Sequence, residues 1–163
     1  MKTTPAIRLA SPADVPAALA VLREAAAWLV DTGRPLWEAD ELAVGPLEVA
    51  AGAGELFVAD ADGTMVSMML VQRRDSLFWP DDPPGEASYV HRLAVARSAA
   101  GTGLATAMLH HALAVARERG NRFLRLDCVP RPKLVSLYER HGFARVDEGT
   151  FGCFRAVRFE KRL

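Results

Sequence analysis

Ala99-Ala100-Gly101-Thr102-Gly103-Leu104-Ala105 carries almost no side chain and opens directly into the apolar stretch that ends at Leu109. A turn needs one glycine, not a run of small residues. At a helix start, such a run leaves unpaired backbone N–H groups and roughly half a positive charge open to close approach. The chemistry that suits this is the binding of a phosphate. The same run would also serve as a tight turn where helix meets sheet. Two better-known phosphate loops are excluded. A Walker loop needs Lys and Ser or Thr after its second glycine, where Leu104 and Ala105 stand. The dinucleotide fingerprint needs Gly or Ala three places after that glycine, where Thr106 stands.

Metal chemistry has no comparable signal. His110 and His111 are adjacent, so on a helix they diverge, and no Cys/His cluster has zinc spacing; the expectation is no metal. Lys plus Arg equals Asp plus Glu, at 20 each, which gives no support to a nucleic-acid or membrane-surface role. No apolar run is long enough for a membrane span. The start, MKTTPAIRLASPAD, has no signal-peptide core, and Cys128 and Cys153 read as reduced thiols in a cytoplasmic protein.

The elements that must position the loop follow from periodicity. The 163 residues suit one domain, residues 1–163. Ile7–Leu9 reads as a short strand. Ser11-Pro12-Ala13-Asp14 is a helix start, followed at helical spacing by Val15, Ala18, Leu19, Leu22, Ala26 and Leu29, with Gly33 as the stop. Trp28 falls near that apolar face and reads as core. A weaker helix over 40–51 is interrupted by Gly45-Pro46. Strands are predicted over 55–61 and 64–73, with Asp62-Gly63 as a two-residue hairpin. Beyond the proline-rich loop 77–86 come a strand over 88–96, a helix over 103–119, a strand over 122–128 and a short helix over 132–141 closed by Gly142. Strands over 143–146 and 151–161 finish the chain. The expected fold class is α/β: a mixed, mostly antiparallel sheet covered by helices.

Taken in order, "HRLAVARSAAGTGLATAMLHHAL", "LRLDCV" and "LVSLYERHGF" resemble the GNAT superfamily of N-acetyltransferases, most closely over residues 88–143. The family loop places Gln or Arg first, then two small positions. Here Gly103 and Ala105 match the small positions, and Ala100 replaces the Gln or Arg. The resemblance implies acetyl-CoA as cosubstrate. Its pyrophosphate would lie on the N–H groups of Ala100, Gly101, Thr102, Gly103, Leu104 and Ala105, and its pantetheine arm along the main chain of Leu93, Ala94 and Val95. The loop would then be bare because its ligand binds backbone, and Arg97 would partly replace the missing charge. The family's Asn after the Leu-Asp-Cys strand has no counterpart in Val129-Pro130-Arg131-Pro132-Lys133.

Acetyl transfer needs a proton removed from the ammonium, a polarised thioester and a proton for the leaving thiolate. Tyr138 occupies the position of the family's general acid; it also fits a core tyrosine. His91 matches the proton-accepting His of arylalkylamine acetyltransferases in a similar His-x-Leu-Ala-Val run; it also fits a histidine hydrogen-bonded within the sheet. Glu38, Glu86 and Asp127 are reserve bases. The family builds its acceptor pocket from the early helices and the loop before the cofactor strand, which here hold Trp37 and Trp79 beside acidic residues. Those aromatics would suit an apolar primary amine, on a small molecule or a peptide, or would simply anchor their loops. A non-catalytic acyl-CoA-binding or sensing domain is the alternative function, and the resemblance leaves a homodimer open.

Overall fold

The computed structural model describes residues 4–163. The elements are strands β1 (Ala6–Leu9), β2 (Leu56–Ala61), β3 (Thr64–Gln72), β4 (Ala87–Val95), β5 (Phe123–Cys128), β6 (Ala144–Phe151) and β7 (Phe154–Arg162) and helices α1 (Val15–Asp31), α2 (Val44–Gly52), α3 (Leu104–Glu118) and α4 (Pro132–Arg140), in the order β1-α1-α2-β2-β3-β4-α3-β5-α4-β6-β7. These residues form two compact units. The first holds residues up to 70 together with 92–109; the second holds 71–91 and 110–163.

In the first unit, β1 pairs antiparallel with β2 and β2 with β3. Asp62 and Gly63 join β2 to β3 with φ of 50° and 78°, the two positive values that a type I′ hairpin requires. β3 is tied to the end of β4 by Ala96 N–H donating to Val66 O at 2.8 Å and by the Ser67 hydroxyl donating to Ala94 O at 2.8 Å. Helix α1 starts where the Asp14 carboxylate accepts the Ser11 N–H (2.7 Å) and pairs with Arg8 (2.8 Å). It buries Val15, Ala18, Leu19, Val21, Leu22, Ala25 and Ala26, the stripe expected of one helical face. Leu22, Leu47, Leu56 and Met68 are fully buried, each worth about 1.5–3 kcal/mol in removed apolar surface. Leu22→Ala would cost about 2–5 kcal/mol.

In the second unit, β4 pairs parallel with β5 over Ala87–Val90, β5 antiparallel with β7, and β7 antiparallel with β6. Phe78, Trp79, Ala87, Tyr89 and Ala156 form one buried cluster, with Phe123 and Phe151 packed on it. Ser88 is buried and satisfied: its hydroxyl lies 2.6 Å from Asn121 Oδ1 and accepts from Arg119 at 3.0 Å.

The α/β class and the mixed, mostly antiparallel pairing agree with the sequence reading. Three local expectations need correction. Gly45-Pro46 does not interrupt a helix but lies in the first turn of α2, where a proline's missing N–H costs nothing. Strand β6 does not stop at Val146 but runs to Phe151; Asp147, Glu148 and Thr150 look like a loop because the strand is largely exposed, held outward by Arg158–Asp147 (2.5 Å) and Arg155–Glu148 (3.1 Å) pairs. Trp28 is not core: it is half-buried, with the Arg97 guanidinium 3.7 Å from its ring centroid. One residue inside β4, Arg92, has φ of 52°, a left-handed conformation costing a non-glycine residue roughly 1–2 kcal/mol. Among the described residues, no helix is long and apolar enough to cross a membrane.

Candidate active site

The loop between β4 and α3 belongs wholly to the first unit. A single 3-10 turn, Arg97–Ala99, uses the N–H groups of Ala99 and Ala100 on Ala96 O and Arg97 O. The chain then passes through Gly101 (φ 73°) and Gly103 (φ 84°), and the first bond into α3 is Ala107 N–H to Gly103 O at 3.1 Å. Among the described residues, the N–H groups of Gly101, Thr102, Gly103, Leu104 and Ala105 donate to no backbone acceptor. The Thr102 hydroxyl turns inward and donates to Ala99 O at 2.6 Å, so the donors left facing outward are main-chain ones. A Cβ placed on Gly101 or Gly103 would meet nothing within 4 Å. Glycine is therefore needed for backbone conformation, and the space in front of these N–H groups is open. An anion with several oxygens fits this donor set and the positive end of α3. Ala100, in contrast, spends its N–H within the loop, which removes it from the predicted donors.

The strand ahead of the loop divides its hydrogen-bonding groups by alternation. Ala94 O and Ala96 N–H face β3. The main-chain groups of Leu93 and Val95 therefore point the other way. Arg97 donates its backbone N–H to Glu24 at 3.1 Å and stacks its guanidinium on Trp28, with Arg34 also 4.9 Å from that ring. Its charge is held on an aromatic face rather than aimed freely.

The titratable cluster lies in the second unit. Asp75 Oδ1 accepts the N–H groups of Leu77 (3.1 Å) and Phe78 (2.9 Å), which orients the carboxylate; its Oδ2 lies 2.9 Å from His91 Nε2. On the other edge of the imidazole, His91 Nδ1 lies 3.6 Å from Asp127 Oδ1. The Asp75 and Asp127 side chains are 5% and 14% exposed and His91 is 21% exposed, so the pair interactions are poorly screened. Burial pushes the Asp75 carboxyl up, but His91 and the two backbone N–H groups outweigh it and hold the group below the usual carboxylate range. A proton on Nε2 shared with Asp75 leaves Nδ1 to take up another, and Asp127 stabilises the imidazolium that results. These three residues are the trio among the described residues whose ligand atoms converge within 4.8 Å. A divalent cation would have to displace the proton between His91 and Asp75 to bind there.

Tyr138, on α4, packs its ring at 6.2 Å from Phe143 and 5.8 Å from Phe159. Burial, with the influence of Cys128 and Asp127, pushes its hydroxyl well above the usual phenol range, so it stays protonated and keeps a hydrogen to donate. Cys128 is buried, and burial followed by Asp127 pushes its thiol up to about 12, which leaves it unreactive. Asp127 thus acts on both His91 and Tyr138.

The acceptor-side expectations fare differently. Trp79 is 7% exposed and lies 5.5 Å from the Tyr89 ring inside the buried cluster, so packing accounts for it. The recess beside it, lined by Arg73, Asp75, Asp82 and Tyr89, holds about 10 Å³, room for one water at most. Asp82 bonds Tyr89 and Arg125, and Glu86 pairs with Arg122 at 3.4 Å. Trp37 is half-buried just before the 3-10 turn Ala39–Leu42, which Glu38 caps. Glu86 therefore has a structural partner, Glu38 stands exposed at the start of that turn, and Asp127 is the reserve base that lies beside His91. Asp75 has no sequence signal: it precedes His91 in a loop, and only the fold brings it there.

A profile of the acetyltransferase (GNAT) family matches residues 22–143. The uncharacterized N-acetyltransferase YesJ of Bacillus subtilis (strain 168) is 30% identical over an alignment of 142 residues that covers 80% of this chain and 76% of that protein. A GNAT-family acetyltransferase from Listeria monocytogenes 4b F2365 superposes with a TM-score of 0.82 at 26% identity, covering 100% of each chain. YncA from Salmonella typhimurium, solved with its cofactor acetyl-CoA, shares the fold at a TM-score of 0.73 and 17% identity, covering 99% of this chain and 95% of that one. The profile spans most of the sequence, including β4, the glycine loop, α3 and α4, and the chain belongs to the acetyltransferase (GNAT) family.

Proposed function

We propose that this acetyltransferase moves an acetyl group from acetyl-CoA to a primary amine. The observation that carries the reading is the glycine loop: five successive N–H groups without backbone acceptors, at the positive end of a helix, with open space before two glycines. Gly101 to Ala105 would hold the pyrophosphate, and the main-chain groups of Leu93 and Val95 that face away from β3 would hold the pantetheine arm. Acetyl-CoA supplies the activated acyl group as a thioester. YesJ's name as an N-acetyltransferase and the acetyl-CoA bound to YncA support the same assignment.

The side chains of the second unit handle protons. An alkyl ammonium has a reference pKa near 10.4, so at pH 7 roughly one molecule in two thousand is free amine. His91, oriented by Asp75, takes that proton at Nδ1, directly or through water. Tyr138 donates a hydrogen bond to the leaving thiolate. Full transfer from a phenol near 10 to a thiolate near 8.5 is uphill by roughly 2 kcal/mol, and the raised hydroxyl of Tyr138 makes it steeper. Its role is thus hydrogen-bond donation rather than complete proton transfer.

The test is free-thiol release from acetyl-CoA in the presence of a panel of primary amines. The proposal expects amine-dependent release. Binding of acetyl-CoA without release for any amine would instead establish the alternative, a sensing domain, which Ala100 and the absent Asn favour.

A further inference from the structure

Arg92 is the one residue inside a strand, among the described residues, that holds a positive φ without being glycine. The other such residue, Asp62, sits in a hairpin turn that calls for it. A kink at this point breaks the in-and-out alternation of β4 just before Leu93 and sets the direction of the Arg92 side chain. That side chain is half-buried, and its Nη1 is screened from water with no hydrogen-bond partner. A guanidinium withdrawn from water without a paired group is costly, and an unsatisfied buried donor of this kind calls for a partner.

Two carboxylates influence it without pairing with it. Asp40 and Glu41, on the 3-10 turn after α1, both favour the charged guanidinium, while burial disfavours it. Each has an oxygen occupied elsewhere: Asp40 Oδ1 accepts the Glu41 N–H at 3.0 Å, and Glu41 Oε2 accepts the Glu38 N–H at 2.9 Å. The charges present are one cation with unused donors and two anions. A ligand that complements all three carries a planar anionic group for the guanidinium fork and a cationic group for Asp40 and Glu41.

We propose that Arg92 binds a carboxylate carried by the acceptor, and that the acceptor is an amino-carboxylate, such as an amino acid, rather than a plain alkyl or aryl amine. The inference rests on the acetyl-transfer reading above, because it is the arm-binding segment Leu93–Val95 that follows Arg92 directly. It reverses the preference for uncharged amines suggested by Trp37 and Trp79 alone.

The experiment compares matched acceptors: amino acids, their carboxamides and the amines lacking the carboxylate. Each is measured by thiol release and by the rise in melting temperature it produces in the presence of CoA, with wild type and Arg92→Gln. The expected result is a wild-type preference of at least tenfold in kcat/KM for a carboxylate-bearing amine over its carboxamide, with a melting shift for the former. In Arg92→Gln the ratio should fall to near one and the shift should vanish. Equal rates for carboxylate and carboxamide in wild type would overturn this inference and leave acetyl transfer standing. No release with any amine would overturn both. If Arg92→Gln does not fold, the wild-type comparison still decides.

Discussion

The glycine loop and the Asp75–His91–Asp127 cluster solve opposite problems with opposite materials. The loop presents main-chain donors, and its one polar side chain, Thr102, is turned inward. The cluster is made of side chains drawn from a loop, from β4 and from β5. A backbone site is continuous in sequence and tolerates side-chain change so long as φ is kept. A side-chain site is discontinuous and fails when any member is replaced. Substitutions should therefore divide cleanly between loss of binding and loss of turnover.

The largest effect is expected at Gly103. At one hundred times its dissociation constant a ligand adds about 2.7 kcal/mol, or roughly 5–10 °C in melting temperature for a chain of this size. Gly103→Val forces a β-branched residue to φ near 84° and should abolish this rise. Differential scanning fluorimetry with and without acetyl-CoA reads it; a rise equal to wild type would break the backbone half of the comparison. Tyr138→Phe should come next, lowering kcat by about 10²–10³ with acetyl-CoA affinity unchanged. Unaltered turnover would leave Tyr138 as a packing residue against Phe143 and Phe159.

Asp75→Asn sharpens the other half. Removing one carboxylate from His91 weakens the imidazolium, so the rising limb of the pH–rate profile should move to lower pH, with kcat reduced about tenfold or more by loss of orientation. Asp75 acts through His91, and a merely structural role would lower stability without moving the limb. The smallest effect concerns stability in acid. The Asp75 carboxyl is held below its unfolded value of about 3.9, so it stabilises the fold above that pH, and the contribution is lost as pH falls through its folded value. Urea midpoints of wild type and Asp75→Asn should therefore converge below about pH 4. A constant gap across that range would contradict the assigned direction.

The same contrast explains what could be read without coordinates. The loop was legible because small residues at a helix start are contiguous, as was the α1 stripe that ends at Gly33. His91 and Tyr138 stood out through the motifs around them. Asp75 did not, because a carboxylate in a polar loop looks like any surface acid until the fold buries it beside His91. Trp79 could be read two ways: a tryptophan in a proline-rich loop suits a pocket or an anchor for its own loop, and it packs on Tyr89. β6 was cut short at Val146 because a strand whose side chains are mostly exposed lacks the alternation that marks its neighbours.

The claim that backbone, not side chain, holds acetyl-CoA is tested most directly by calorimetric titration of acetyl-CoA into wild type and Arg97→Gln. Arg97 is the cationic side chain that opens the loop, and its guanidinium is stacked on Trp28. The account predicts one-to-one binding in both proteins with dissociation constants within about threefold, less than the ~1.4 kcal/mol that a tenfold change represents. A loss of tenfold or more in Arg97→Gln, or no binding to wild type, would contradict it.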